Sequence, residues 1–126
     1  MKSLSIMIAD GEAVIRDVLS DYLRQCGYRV ITATTTDEVI ERLFDHAVPI
    51  SVILSDSDLA GTMNAFSLRF WVREKHPDIT FILAGNVDAA ARAAGQLCDE
   101  GPYLKRPYDP QLVMTHIKQR LDAVSQ

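Results

Sequence analysis

Four acids stand at the ends of apolar runs. Asp10 and Glu12 follow "LSIMIA", and Asp56 and Asp58 follow "SVILS". Carboxylates brought together repel one another, so a cluster of this kind either binds a cation or ionises abnormally. A hard divalent ion such as Mg²⁺, which takes oxygen ligands and keeps several waters, is the natural counterion. Lys105, which ends the later run "PYLK", and Arg106 after it offer the positive charge that would complete the balance. His46, His76 and His116 are far apart in the chain and suggest neither a nucleophile nor a metal site.

These groups meet only if the runs before them are neighbouring strands. Leu4 to Ala9, "YRVITA", "ISVILS", "TFILA" and "PYLK" read as five strands. Between them lie helical patterns. Ala13 to Cys26 carries Val14, Ile15, Val18, Leu19, Tyr22 and Leu23 at helical spacing and stops at Gly27. Thr34 to Thr36 cap a second helix running to about His46, with Val39, Ile40, Leu43 and Phe44 as its inner stripe. Phe66 to Lys75 forms a third before Pro77, with Phe70 and Trp71 assigned to packing. Val87 to Leu97 is a short alanine-rich fourth. In the fifth, Asp109 is the cap, Pro110 the first residue, and Leu112, Val113, Ile117 and Leu121 the buried face. Strands alternating with helices over short connections imply a parallel sheet covered on both faces. In such sheets ligands bind at the carboxyl ends of the strands, where all four acids fall.

The remaining features exclude rather than assign. At 126 residues, 48% hydrophobic and 24% charged, the chain has the length and composition of one folded domain, here 1–126. Thirteen basic against seventeen acidic residues, with no basic block, argue against direct nucleic-acid binding. No apolar run reaches membrane-spanning length and no secretory leader is evident, so no membrane association and a cytoplasmic location are expected. Cys26 and Cys98 have no CxxC or Cys/His spacing, and a reduced pair is expected.

Four segments in order, "IMIADGE", "ILSDSDLAGTMNAF", "PDITFILAGN" and "YLKRPYDP", resemble the receiver domain of two-component response regulators across essentially the whole chain. The resemblance implies a flavodoxin-like, doubly wound (βα)5 fold with strand order 2-1-3-4-5. It implies a phosphoacceptor at Asp56, charged by a histidine kinase or phosphotransfer protein. Mg²⁺ would be held by Asp10, Asp56 and the backbone carbonyl of Asp58. Arg106, with Lys105 beside it, would contact the phosphoryl group, and Ala84 and Tyr103 occupy the switch positions. The surface of the fourth helix, fifth strand and fifth helix would meet a downstream protein target.

Several positions depart from that pattern. Gly11 replaces the second acid after the first strand, so weaker Mg²⁺ binding is expected. Glu12 is a candidate substitute, although an acid in a helix's first turn is already favoured by the helix dipole. Ala84 replaces a hydroxyl, and Arg106 replaces a lysine whose point charge differs from a planar guanidinium. The "GTMNA" loop is one residue longer than the usual spacing. A single-domain phosphorelay regulator is therefore set against a pseudo-receiver that works without phosphorylation. A small DxD-type phosphatase is disfavoured, because such enzymes carry that pair on the first strand.

Overall fold

Each apolar run as far as Ala84 forms a strand: β1 (Ser5–Ala9), β2 (Arg29–Ala33), β3 (Val52–Asp56) and β4 (Thr80–Ala84). The computed structural model describes residues 5–45, 49–102 and 107–125. Among these, the strands pair in parallel in the order β2-β1-β3-β4. Successive strands are added to one side of β1 and then to the other, which makes the carboxyl end of β1 and β3 the switch point of the sheet. The expected fifth strand, with Tyr103, Lys105 and Arg106, lies outside the described residues, as does His46.

The helices are α1 (Ala13–Gln25), α2 (Thr36–Phe44), α3 (Ala65–Lys75), α4 (Val87–Asp99) and α5 (Pro110–Ser125). Their ends follow local chemistry. At the end of α1 the Tyr28 N–H donates to the Leu23 carbonyl at 3.1 Å and the Gly27 N–H to the Arg24 carbonyl at 3.0 Å. Gly27 takes φ 97°, the left-handed turn this motif requires. Side chains of Thr35, Asn64 and Asn86 accept from Glu38, Ser67 and Ala89 N–H groups at 3.1, 2.8 and 2.8 Å, capping α2, α3 and α4. Asp109 accepts from Gln111 N–H at 2.9 Å at the start of α5.

Strand alternation sorts the core into two layers. Ile6, Ile8 and Leu54 pack with α1, α4 and α5, while Met7, Ala9 and Ile53 pack with α2 and α3. Three residues expected in the core are instead exposed. Phe44 (69% exposed) lies about 140° round the helix from Val39, off the Thr36–Val39–Leu43 stripe. Phe70 sits midway between buried Leu68 and Val72, about 200° from each. Leu112 precedes Val113 and points away from the Val113–Ile117 line. Trp71 does pack against the second layer.

Two findings reach beyond local pattern. A right-handed crossover from β4 to a strand beyond it would carry α4 on the same face as α3. Here α4 lies on the opposite face, against α1 and α5, with Lys118 and Asp88 paired at 3.2 Å across α5 and α4. That placement brings Cys98 to Cys26. The two form a disulfide across 72 residues of chain, with Cα atoms 5.3 Å apart, which corrects the expectation of a reduced pair. No spacing rule could show it, because it depends on the face that α4 adopts.

Candidate functional site

Parallel pairing of β1 with β3 sets Ala9 opposite Ser55, so the next residues along, Asp10 and Asp56, stand side by side at the switch point. Asp10 is buried and held from several directions. Its N–H donates to the Ala33 carbonyl at 3.0 Å, and its carboxylate accepts from the Glu12 N–H at 2.9 Å. Arg16 Nη1 donates to the Asp10 carbonyl oxygen at 2.8 Å.

Burial pushes the Asp10 carboxyl up to about 6, only partly offset by the Glu12 N–H. That value includes smaller upward contributions from the negative charges of Asp56 and Glu12 and a downward one from Arg16. Of the acids expected to crowd this edge, Asp56 and Glu12 act on Asp10, and Asp58 is not among the groups that shift it. Asp10 has the signature of a carboxyl that a cation would relieve.

Asp56 is half-buried at the last position of β3. Its Oδ1 accepts from the Asp58 N–H at 3.2 Å, and the Leu59 N–H closes the turn on the Asp56 carbonyl at 3.2 Å. Asp58 therefore engages Asp56 through its backbone, while its side chain is exposed. Among the described residues no three His, Cys, Asp or Glu side chains gather as a metal cage. Two adjacent carboxylates are nevertheless a donor set that suits Mg²⁺, which commonly binds one or two carboxylates and retains waters.

Ala84 is the register partner of Asp56 on β4. A cavity of about 100 Å³ lies beside them, its lining including Asp10, Asp56, Ala84, Asn86, Ile15 and Leu54. A Cβ added at Gly11 would meet only the Thr34 carbonyl oxygen, at an ordinary 3.7 Å. The missing acid is thus a matter of composition and not of space. Tyr103, Lys105 and Arg106 lie outside the described residues.

The "GTMNA" loop is fastened to α2. Thr36 N–H donates to the Ala60 carbonyl at 2.9 Å, and Thr36 Oγ1 to the Met63 carbonyl at 2.7 Å. Asp37 accepts from the Thr62 N–H at 2.9 Å, a bond that holds its carboxyl below the usual range. Gly61 passes so close to Thr36 that a Cβ would lie 2.0 Å from its Oγ1.

Two site residues escaped the sequence reading. Arg16 sits four residues after Glu12, one helical turn away, a spacing that would have aimed it at the acids. Asn86 caps α4, and its place on the cavity wall depends on where α4 lies.

The fold is similar to a CheY-like response regulator receiver domain from Methanospirillum hungatei JF-1, with TM-score 0.61, 22% identity, and coverage of 97% of this chain and 96% of that one. The chain has the receiver-domain fold. In sequence it is 28% identical over 121 residues to the transcriptional regulatory protein ResD of Bacillus subtilis, covering 96% of this chain and 49% of ResD. It is 25% identical over 116 residues to the transcriptional regulatory protein AruR of Pseudomonas aeruginosa, covering 90% of this chain and 47% of AruR. The chain spans about half the length of these curated relatives. A solved structure of the response regulator TrrA from Thermotoga maritima, in complex with Mg²⁺-BeF, is 24% identical with TM-score 0.57, covering 64% of this chain and 67% of that one. No protein-family model matches the chain. No helix among the described residues is long and apolar enough to cross a membrane.

Proposed function

We propose that this receiver-fold domain is a phosphorelay response regulator that accepts a phosphoryl group on Asp56. The observation that carries this reading is the side-by-side placement of Asp10 and Asp56 at the switch point, with a small cavity beside them. An Asp56 carboxylate oxygen attacks phosphorus in the phosphohistidine of a kinase or phosphotransfer protein. The P–N bond breaks, and the histidine ring leaves with the electron pair. Mg²⁺, when bound, offsets the repulsion between the carboxylate and the incoming phosphoryl oxygens.

The chain's own residues do the rest. Asp10 and Asp56, with the Asp58 backbone carbonyl, are the residues that would hold the ion, and Glu12 adds negative charge at its edge. The Glu12 N–H orients the Asp10 carboxylate, and the Asp58 N–H orients that of Asp56. Arg106, with Lys105, is assigned to the phosphoryl oxygens, and Tyr103 to the switch. The domain acts as a signalling partner in the cytoplasm and not as a turnover enzyme, meeting its target through the α4 and α5 surface.

A pseudo-receiver reading has its own support in Gly11 and Ala84, which remove an acid and a hydroxyl from the site. Intact-mass measurement after incubation with acetyl phosphate and Mg²⁺ separates the two. A phosphoryl adduct on the wild type that is absent from Asp56→Asn is expected. No adduct from acetyl phosphate or from a phosphorylated histidine donor would leave the pseudo-receiver reading standing.

A further inference from the structure

Cys26 caps α1 and Cys98 lies in the last turn of α4, and both are fully buried. A second tie runs beside their bond: the Tyr28 hydroxyl donates to the Leu97 carbonyl. The chain leaving α4 passes flush against the same ring, since a Cβ at Gly101 would come within 2.9 Å of it. At its other end α4 begins at the cavity beside Asp56, with Asn86 and Val87 on the wall. The helix lies on the face of the sheet that carries α1 and α5. Buried contacts seat it there along its length, from Ala90 and Ala91 to Leu97 and Cys98, and the disulfide adds a covalent tie at its last turn.

We propose that Cys26 and Cys98 form a reversible thiol–disulfide latch that fixes the C-terminal end of α4 to the end of α1, and whose reduction releases that end. The latch does not depend on phosphorylation of Asp56. Closure by glutathione disulfide is balanced as follows. One cysteine thiolate attacks a glutathione sulfur and expels a glutathione thiolate. The second cysteine thiolate then attacks the protein sulfur of the mixed disulfide and expels the other. The protein loses two protons and two electrons, and the glutathione disulfide becomes two glutathione thiols.

Exchange at buried sulfurs requires the last turns of α4 to open. This end suits that requirement. Gly95 carries an intrinsic helix penalty, and Ala94 beside it buries little apolar area. Local opening is cheapest where buried apolar contact is least. In the open latch the two thiols remain as small apolar side chains that the core tolerates.

The test equilibrates the whole chain in glutathione buffers from fully reducing to fully oxidising, then traps free thiols by alkylation and counts them by intact mass. Two thiols are expected at the reducing end and none at the oxidising end, with return on adding reductant and no denaturant. Amide exchange across residues 94–101 should be at least about tenfold slower in the oxidised protein. Its midpoint of thermal unfolding should be higher by roughly 10 °C. A Cys26→Ser/Cys98→Ser variant should show no redox response, and the wild-type measurements decide the matter if that variant does not fold. Thiols that stay free in fully oxidising buffer overturn the proposal. So does a bond that yields to reductant only after unfolding, or α4 exchange equal in the two states.

Discussion

Asp56 and Ala84 are register partners at the carboxyl ends of β3 and β4 and line the same small cavity, so under the proposed function a methyl group stands where a hydroxyl would meet a phosphoryl group on Asp56. Ala84→Thr supplies that hydroxyl, and the adjoining cavity has room for it. A hydrogen bond to a charged group is worth about 1.5–3 kcal/mol. The lifetime of phosphorylated Asp56, followed by intact mass after removal of donor, should therefore lengthen roughly tenfold. An unchanged lifetime would show that the hydroxyl position has no bearing on this site.

Gly11 has ordinary backbone geometry and open space for a Cβ, so Gly11→Asp restores an acid without strain. The Mg²⁺ dissociation constant, measured by calorimetry at pH 8, should fall by about tenfold as the number of charged oxygen ligands rises. Without Mg²⁺ the same variant should be less stable than the wild type, because a further charge joins Asp10 and Asp56. Tighter binding without that loss would mean the new acid lies away from the cluster.

Asp10 gives the fold a pH dependence of known sign. Its carboxyl is raised from 3.8 to about 6, so the folded state holds the proton more tightly than the unfolded chain. The associated stability is present in full below about 4 and is lost as pH rises through about 6. Asp10→Asn keeps an oxygen to accept the Glu12 N–H and removes the buried charge. Urea unfolding at pH 8 should find it more stable than the wild type by about 1 kcal/mol, a figure reduced for screening by water. Its advantage should vanish at pH 4, and it should bind no Mg²⁺. A constant difference between pH 4 and 8 would count against this account of the carboxyl.

Gly61 is closed to any side chain, with φ 149° and Thr36 in its path. Gly61→Ala should cost about 2–3 kcal/mol in urea unfolding, from backbone strain and displacement of Thr36. The three loop bonds to α2 should loosen together, seen as faster amide exchange at Thr36 and Thr62. A cost below about 0.5 kcal/mol would place the loop's stability elsewhere.

Much of the fold was legible because it is written locally. The β4 boundaries, the caps of α2 and α5 and the stop at Gly27 follow from residue types within a few positions of one another. Asp10 and Asp56 were legible as strand-end acids, and their contact followed once β1 and β3 were placed together. Legibility failed where the answer depends on direction or distance. Phe44, Phe70 and Leu112 are apolar yet lie off the buried stripes by a fraction of a turn. The Cys26–Cys98 bond and the place of Asn86 on the cavity wall both follow from the face α4 takes, which no nearby residue encodes.

That face gives α4 a mechanical character. Its thirteen residues make a rod about 20 Å long, anchored at Cys98 and abutting the Asp56 cavity at Asn86. Pivoting on the anchor, a tilt of only about 9° moves the far end by about 3 Å. A group added at Asp56 thus has a lever arm at hand, and a small angular change there spreads along one edge of the α4–α5 surface.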